Sequence, residues 1–519
     1  MRETLFKFNH RAIKIIFYIF FTATFFFALT SSNLILGDNP ITKIGTTAFT
    51  TIVLLIFGAL FTICYVNHSV RDFLLWLFVD RSWITATVCF VVAILLQIGF
   101  VSLIHYGVHD DVGAVHAALT NTKDVNIIGY FSVNPNNLGL LLLQHQIALI
   151  FHHTSWLFFD FMTIFMVDLA ALFNIGSVFV IDKSKIPILL YLQAMWMALF
   201  PAIVVPYTDT WVLPFVAFYI LCYVIVARSD MGKALKLIFA ILGGLTVGAT
   251  YFIKPSGIVP MIAIIIIELV SLLNKNKKHW FWLFLVTSIF ALSVGGSYYK
   301  INHIIDNQTY IHVNTFRAKP MIHFINMGLS KTGGYNAKDS YKMVILINKK
   351  DRIDYSVKSI KKRLHKMGFT GYIKFLIVKQ KNNTSDGTFG WLREGISAPS
   401  KYTPDKHGFK GKLENFVLLY GNNVGDFRFL TQIFWCIWLG LIFFAWKDNR
   451  KIVQILRLSL VGGFIFLLIF EGGRSRYLIQ FLPVFLILAT LEWKTSIQQI
   501  RRLLKWNLNP GPKHRKNVL

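Results

Sequence analysis

The sequence predicts an all-α polytopic membrane protein: about twelve transmembrane helices, one interfacial helix and a small external α/β domain. Apolar runs of about 18 residues or more recur along the chain, each long enough to cross a hydrocarbon core of about 30 Å. Of 519 residues, 55% are hydrophobic and only 15% charged, and the mean hydropathy is +0.55. Lys and Arg gather at alternate ends of the apolar runs, as the positive-inside rule requires. The period-two alternation of a membrane β-barrel is absent.

Residues 1–81 form an N-terminal extension with spans at 13–36 and 46–66. The first run is too long for the apolar region of a signal peptide and no small-residue cleavage site follows it, so no cleavable signal is expected. The membrane core, 82–298, carries spans at 83–105, 157–181, 186–205, 211–227, 236–253, 257–273 and 280–298, with a first external loop at 106–156. The C-terminal helices, 428–492, supply spans at 428–446, 452–470 and 476–492, and a basic cytoplasmic tail fills 493–519. This count puts Lys7/Arg11, Arg71/Arg81, Lys183/Lys185, Arg228/Lys233, Lys275, Lys277, Lys278, Lys447/Lys451 and the Arg501–Lys516 tail all on the cytoplasmic side. The run Leu138–Phe151 is too short to span, and counting it would put the Lys183/Lys185 turn on the wrong side. It reads as a helix along the outer membrane face.

The stretch 299–427 is the one sizeable non-membrane segment, and topology puts it outside the cell. Its twenty-two Lys/Arg against nine Asp/Glu break the inside-positive pattern, which long translocated segments are free to do. The runs "MVILIN", "DYSVKSIKKRLHKMGF" and "GYIKFLIV" suggest its small α/β unit, with "KNNTSDGTFG" and "SAPSKYTPDKHG" as loops. Cys64, Cys89, Cys222 and Cys436 all fall inside apolar runs and are assigned to packing.

Polar residues at span ends collect on the outer side. "HYGVHDDVGAVHAAL" places Asp110 and Asp111, flanked by His109 and His116, after the third span; "VVPYTDTW" places Tyr207 and Asp209, "YFIKPSG" Lys254, and "EGGRSRYL" Glu471, Arg474, Arg476 and Tyr477. Taken singly, each has an ordinary explanation: a basic residue at a span end snorkels, and an Asp in a short loop caps a helix. His109 and His116 lack the close spacing of a metal pair. Asp160 and Asp168 fall within the fourth span, where a partner or a cavity is expected. Taken together, two carboxylates and several cations share one membrane face. A carboxylate can take a proton from an acceptor hydroxyl while Lys and Arg stabilise charge on a leaving phosphate, which is the chemistry of sugar transfer from a lipid phosphate.

The order of these motifs resembles the GT-C membrane glycosyltransferases, among them the protein O-mannosyltransferases and the lipid A aminoarabinose transferase. "HDDVGAV" resembles the family's acidic motif in the first external loop, and "YFSVNPNNLGLLLL" its approach to a juxtamembrane helix. "YTDTW", "FIKPSG" and "RSRYLIQFLPVFLIL" resemble later family motifs, the resemblance covering about residues 82–492. "YFSVNPNNLGL", "NMGLSKTGGYNAKDS" and "SDGTFGWLREG" look like a Gram-positive branch linked to cell-surface polysaccharide and teichoic acid glycosylation. The resemblance implies a GT-C fold in the plasma membrane with an extracellular active site. It also implies an undecaprenyl-phosphate-linked sugar donor and inversion at the anomeric carbon. Asp110 or Asp111 would be the general base, Asp110 preferred; Lys254, Arg474, Arg476 and Tyr477 would meet the donor phosphate. Asp209 matches a secondary acidic position, with Tyr207 and His109 beside it.

The implied acceptor is an anionic cell-surface glycopolymer, and further partners are the bilayer, a donor-synthesising glycosyltransferase and a flippase; no nucleic acid is expected. Trp391 offers a stacking face for an acceptor sugar. No cofactor is expected, since a base and a stabilised leaving group suffice; a divalent metal, as in the oligosaccharyltransferase cousins, is the disfavoured option. The local "DDV" departs from the mannosyltransferase "DE", so that family's protein acceptor does not carry over. Two alternatives stay open: a polymerase or ligase of lipid-linked glycans, and a flippase or transporter for a lipid-linked sugar. The latter would call for deep intramembrane charge and inverted repeats, and no internal duplication is visible.

Overall fold

The computed structural model describes residues 2–272, 280–391, 404–405 and 407–503. The basic cluster at Lys275, Lys277 and Lys278, most of "SAPSKYTPDKHG", "WLREG" beyond Trp391 and the tail 504–519 lie outside the described residues. Every expected span coincides with helix. Among the described residues ten ranges are long and apolar enough to cross a membrane, from Arg11–Leu34 to Ser475–Leu503. One of them, the 43-residue Trp156–Ala198, is two helices, Trp156–Asp182 and Ile186–Ala198, separated by the basic turn Lys183–Lys185. The shorter apolar helix Pro255–Ser271 takes the eighth expected position. Leu138–Phe151 is a helix with the expected bounds, and Leu149, Ile150 and Phe151 leave its last turn with an exposed apolar face.

The helices pair along the chain and across it. Lys233–Ile253 packs on Trp280–Asp306 and on Leu213–Arg228, Ser82–Leu103 on Ile186–Ala198, and Val259–Leu272 on Lys451–Ile469. Burial is uneven: 83% of the apolar window in Ser475–Leu503 is buried, against 6% in Ala48–Val66 and in Trp280–Asp306. The C-terminal helix is thus the spine, and the outer helices keep exposed apolar faces, as contact with lipid requires. Several intramembrane hydroxyls return to their own helix, as Thr163 Oγ1 to the Phe159 carbonyl at 2.8 Å, while others cross, as Ser297 Oγ to the Leu245 carbonyl at 2.9 Å. A fully buried ion pair, Arg457 with Glu492, ties the last two spans, and Tyr18 of the first span meets Arg457 at 3.3 Å. The N-terminal extension is held by Asp426, which accepts from Thr47 Oγ1 at 2.8 Å and Thr50 Oγ1 at 2.6 Å.

The α/β unit expected in 299–427 does not form: among the described residues the segment is helical, with no strand. Helix Ala337–Ile345 takes up the start of "MVILIN", and its N-cap Asn336 accepts the Asp339 amide at 3.1 Å. "DYSVKSIKKRLHKMGF" and "GYIKFLIV" lie on one helical stretch, Lys349–Thr384, kinked at Gly368 (φ 59°, ψ −177°). Lys379 fixes this stretch to its neighbours. Its ammonium donates to the carbonyls of Gly328 at 2.6 Å, Phe470 at 2.7 Å and Leu468 at 3.0 Å.

Candidate functional site

Chain breaks set the site residues at one end of the bundle. The span Ser82–Leu103 stops short of helix Asp110–Ala117, whose first residue takes a left-handed backbone, φ 58°. Pro206 precedes Tyr207, the N-cap of the short helix Thr208–Trp211. Pro255 disfavours helix at the residue before it, so Lys254 leaves Lys233–Ile253 in an extended conformation at φ −157°. The turn before the last span is shaped by Gly473, φ 67°, whose amide donates to Asn383 Oδ1 at 2.6 Å. A Cβ there would lie 2.4 Å from the Thr332 carbonyl oxygen.

Asp111 is held by two phenols. Tyr130 donates to its Oδ1 at 2.9 Å and Tyr207 to its Oδ2 at 3.3 Å. Asn137 sits between the phenols, its amide donating to Tyr130 and, at 3.3 Å, to Tyr207. Burial raises both phenol pKa values well above the ordinary range, and the Asp111 charge adds to this, so both remain donors. Asp110 by contrast is exposed and makes no hydrogen bond or ion pair among the described residues.

Two residues beyond Tyr207, buried Asp209 receives the cations. Lys254 forms an ion pair with its Oδ1, and Arg476 Nε lies 3.4 Å from its Oδ2. Tyr477 completes this half: Lys254 and Arg476 stand over its ring at 5.2 Å and 5.1 Å, and its hydroxyl donates to Glu471 at 3.1 Å. Ser256 donates to Gln480 Oε1 at 2.6 Å, fastening the Lys254 turn to the Arg476 turn. Tyr207 feels both halves, since Asp111 and Asp209 raise its pKa and Arg476 opposes them.

The structure therefore brings together Asp111, Tyr207, Asp209, Lys254, Arg476 and Tyr477, with Asp110 at the edge. Arg474 lies over the Tyr335 ring at 5.8 Å. His109 is an exposed N-cap residue whose side chain makes no capping bond. His116 stacks on Trp156 at 3.7 Å, with its pKa pushed down to about 4 by burial. Trp391 needs correction. It is 3% exposed and donates Nε1 to the Val417 carbonyl at 2.8 Å, so its ring is core and leaves no face for a sugar. For Asp160, expected to have a partner or to face a cavity, no hydrogen-bond partner is found: the residue is fully buried, and neither carboxylate oxygen is hydrogen bonded among the described residues. No group of three or more His, Cys, Asp or Glu able to hold a metal forms among the described residues.

Sequence reasoning missed Tyr130, Asn137 and Lys319. The first two lie inside the quoted "YFSVNPNNL", seven residues apart, on a helix and the turn that follows it. Lys319 reaches Asn134 Oδ1 at 2.9 Å and Ser340 Oγ at 3.2 Å. Burial lowers its pKa, and the charges of Asp111 and Glu471 oppose that shift, which places it beside the cluster.

Fold and site together define an all-helical, multi-pass integral membrane protein with an acid–base cluster at one end of its bundle. The family model described as "Conserved hypothetical integral membrane protein" matches residues 5–497, and the chain belongs to that family. No curated protein and no solved structure gave a match.

Proposed function

We propose that the chain is an inverting GT-C-type glycosyltransferase of the plasma membrane. It moves a sugar from an undecaprenyl-phosphate-linked donor to an anionic cell-surface glycopolymer at the outer face. One observation carries this reading: Tyr207 bonds Asp111 while its neighbour Asp209 gathers Lys254 and Arg476, so acid and cations form one connected cluster.

The donor phosphate competes with Asp209 for Lys254 and Arg476, whose charges offset its own. The acceptor hydroxyl oxygen attacks the anomeric carbon and its proton passes to Asp110. The bond from that carbon to the phosphate oxygen breaks, and the electron pair stays with the phosphate beside the two cations. Asp110 suits the base because its carboxylate is exposed and uncommitted. Asp111 already accepts two phenols, and so it orients the acceptor.

Two experiments test the proposal. Mass spectrometry of surface polymers from a deletion strain should show one sugar decoration lost. Purified protein with a polyprenyl-phosphate sugar should transfer it, and Asp110→Asn should not. Unaltered polymers together with full transfer by Asp110→Asn would overturn the reading.

A further inference from the structure

A cavity of about 580 Å³ opens beside Lys319, between the segment 315–322 and the start of helix Lys349–Thr384. That is within the roughly 300–1,000 Å³ of ordinary ligand sites. Its walls include Met321, Ile353 and Val357, which suit the CH faces of a polyol or sugar, and two lysines, Lys319 and Lys349; no carboxylate lines it. Lys319 is also part of the wall towards the acid cluster. Its amide donates to the Val133 carbonyl at 3.1 Å, and its ammonium bonds Asn134, at the end of the helix that carries Tyr130. Both side-chain partners of that ammonium, Asn134 and Ser340, are neutral, and no carboxylate pairs with it among the described residues. With neutral hydrogen-bond partners, and the Asp111 and Glu471 charges acting on it only from further away, this partly buried cation favours an incoming anion. The surrounding segment, with twenty-two basic residues against nine acidic, steers anions towards this opening.

The geometry points to this cavity as the acceptor subsite, built for a phosphodiester-linked polyol or sugar chain. Lys319 and Lys349 hold its phosphates, and Lys319 sets the phosphate next to the hydroxyl presented to the Asp110–Asp111 pair. The assignment rests on the transfer reading above and adds the acceptor's charge, and the residue that reads it, to that reading.

The test uses full-length protein in detergent with a fluorescent glycerol-phosphate oligomer, and a neutral glucose oligomer of equal length as control. The charged oligomer should bind, the neutral one should bind far more weakly, and Lys319→Gln or Lys349→Gln should each weaken binding about tenfold. Lys349 is exposed, so Lys349→Gln carries the test even where Lys319→Gln compromises folding. Equal binding of both oligomers, or lysine variants that bind like wild type, overturns the subsite. Lysine-dependent binding without sugar transfer to the oligomer upholds the subsite as an anion site and counts against the transferase reading instead.

Discussion

Tyr207 donates its hydroxyl to Asp111 at 3.3 Å, and two residues later the same strand of chain presents Asp209 to Lys254 and Arg476. A single turn, fixed by Pro206, therefore joins an acid held by phenols to an acid held by cations. Cutting that link should leave Asp111 Oδ2 short of a donor in a half-buried setting. Tyr207→Phe is expected to cost about 1–3 kcal/mol, seen as a lower unfolding temperature, and to slow transfer. A variant with wild-type melting and wild-type rate would show that the link is idle.

Asp110→Asn should reduce transfer by about 10²–10⁴-fold, the usual contribution of a general base. The backbone should tolerate it, because Asn, like Asp, enters the left-handed region more readily than other side chains. Asp111→Asn should reduce transfer less. Product formation measured by mass spectrometry separates the two, and a reversed order would make Asp111 the base.

Lys254→Met leaves buried Asp209 with Arg476 as its remaining cation at 3.4 Å. Loss of one partner from a buried pair costs about 3–5 kcal/mol, and the low end is expected here because Arg476 persists. Adding Asp209→Asn should recover most of that stability without restoring donor affinity. Thermal unfolding and donor binding, measured on both variants, give the two readouts.

Acid should destabilise the protein through its buried histidines. His323 is fully buried, and burial, reinforced by the Lys319 charge, pushes its pKa down to about 4; burial also puts His116 at about 4. Between about pH 6.5 and pH 4 the unfolded chain binds protons that the folded one refuses, so stability falls as pH falls through that window. Below it the loss is complete. His323→Leu should flatten the pH dependence of the unfolding temperature between pH 6.5 and 4, and an unchanged slope would show that His323 is not a source of it.

Gly139→Ala should disturb the site from a distance. A Cβ at Gly139 would lie 2.4 Å from the Phe252 carbonyl oxygen, two residues before Lys254. Overpacking of this kind costs about 1–3 kcal/mol. Weaker donor binding should accompany it, since the helix must move off the end of Lys233–Ile253.

The spans were legible because hydropathy and basic turns act independently and agree: the Lys183–Lys185 turn divides one 43-residue apolar range into two helices. Leu138–Phe151 was legible as a helix from its apolar length and from the side that the Lys183/Lys185 turn must take. The site's charged residues could be found because charge is scarce at span ends. Tyr130 and Asn137 could not, since a phenol and an amide are unremarkable beside an apolar run until the fold sets them against Asp111. Lys319 was hidden among the many other basic residues of its segment. "MVILIN" misled because a short apolar run fits strand and helix equally. The deciding signal was upstream, in "NAKD", where Asn336 caps a helix three residues before Asp339. Trp391 misled because sequence shows that a ring exists but not which side of it is covered.

The three carbonyl contacts of Lys379 make a mechanical joint. It ties the basic helix, the end of helix Met321–Gly328 and the tip of the penultimate span together, and that tip runs on directly into Arg474 and Arg476. Under the proposed function, a long polymer dragging on the helix would tug the same turn that grips Asp209, and tension on the acceptor would reach the donor site through that joint.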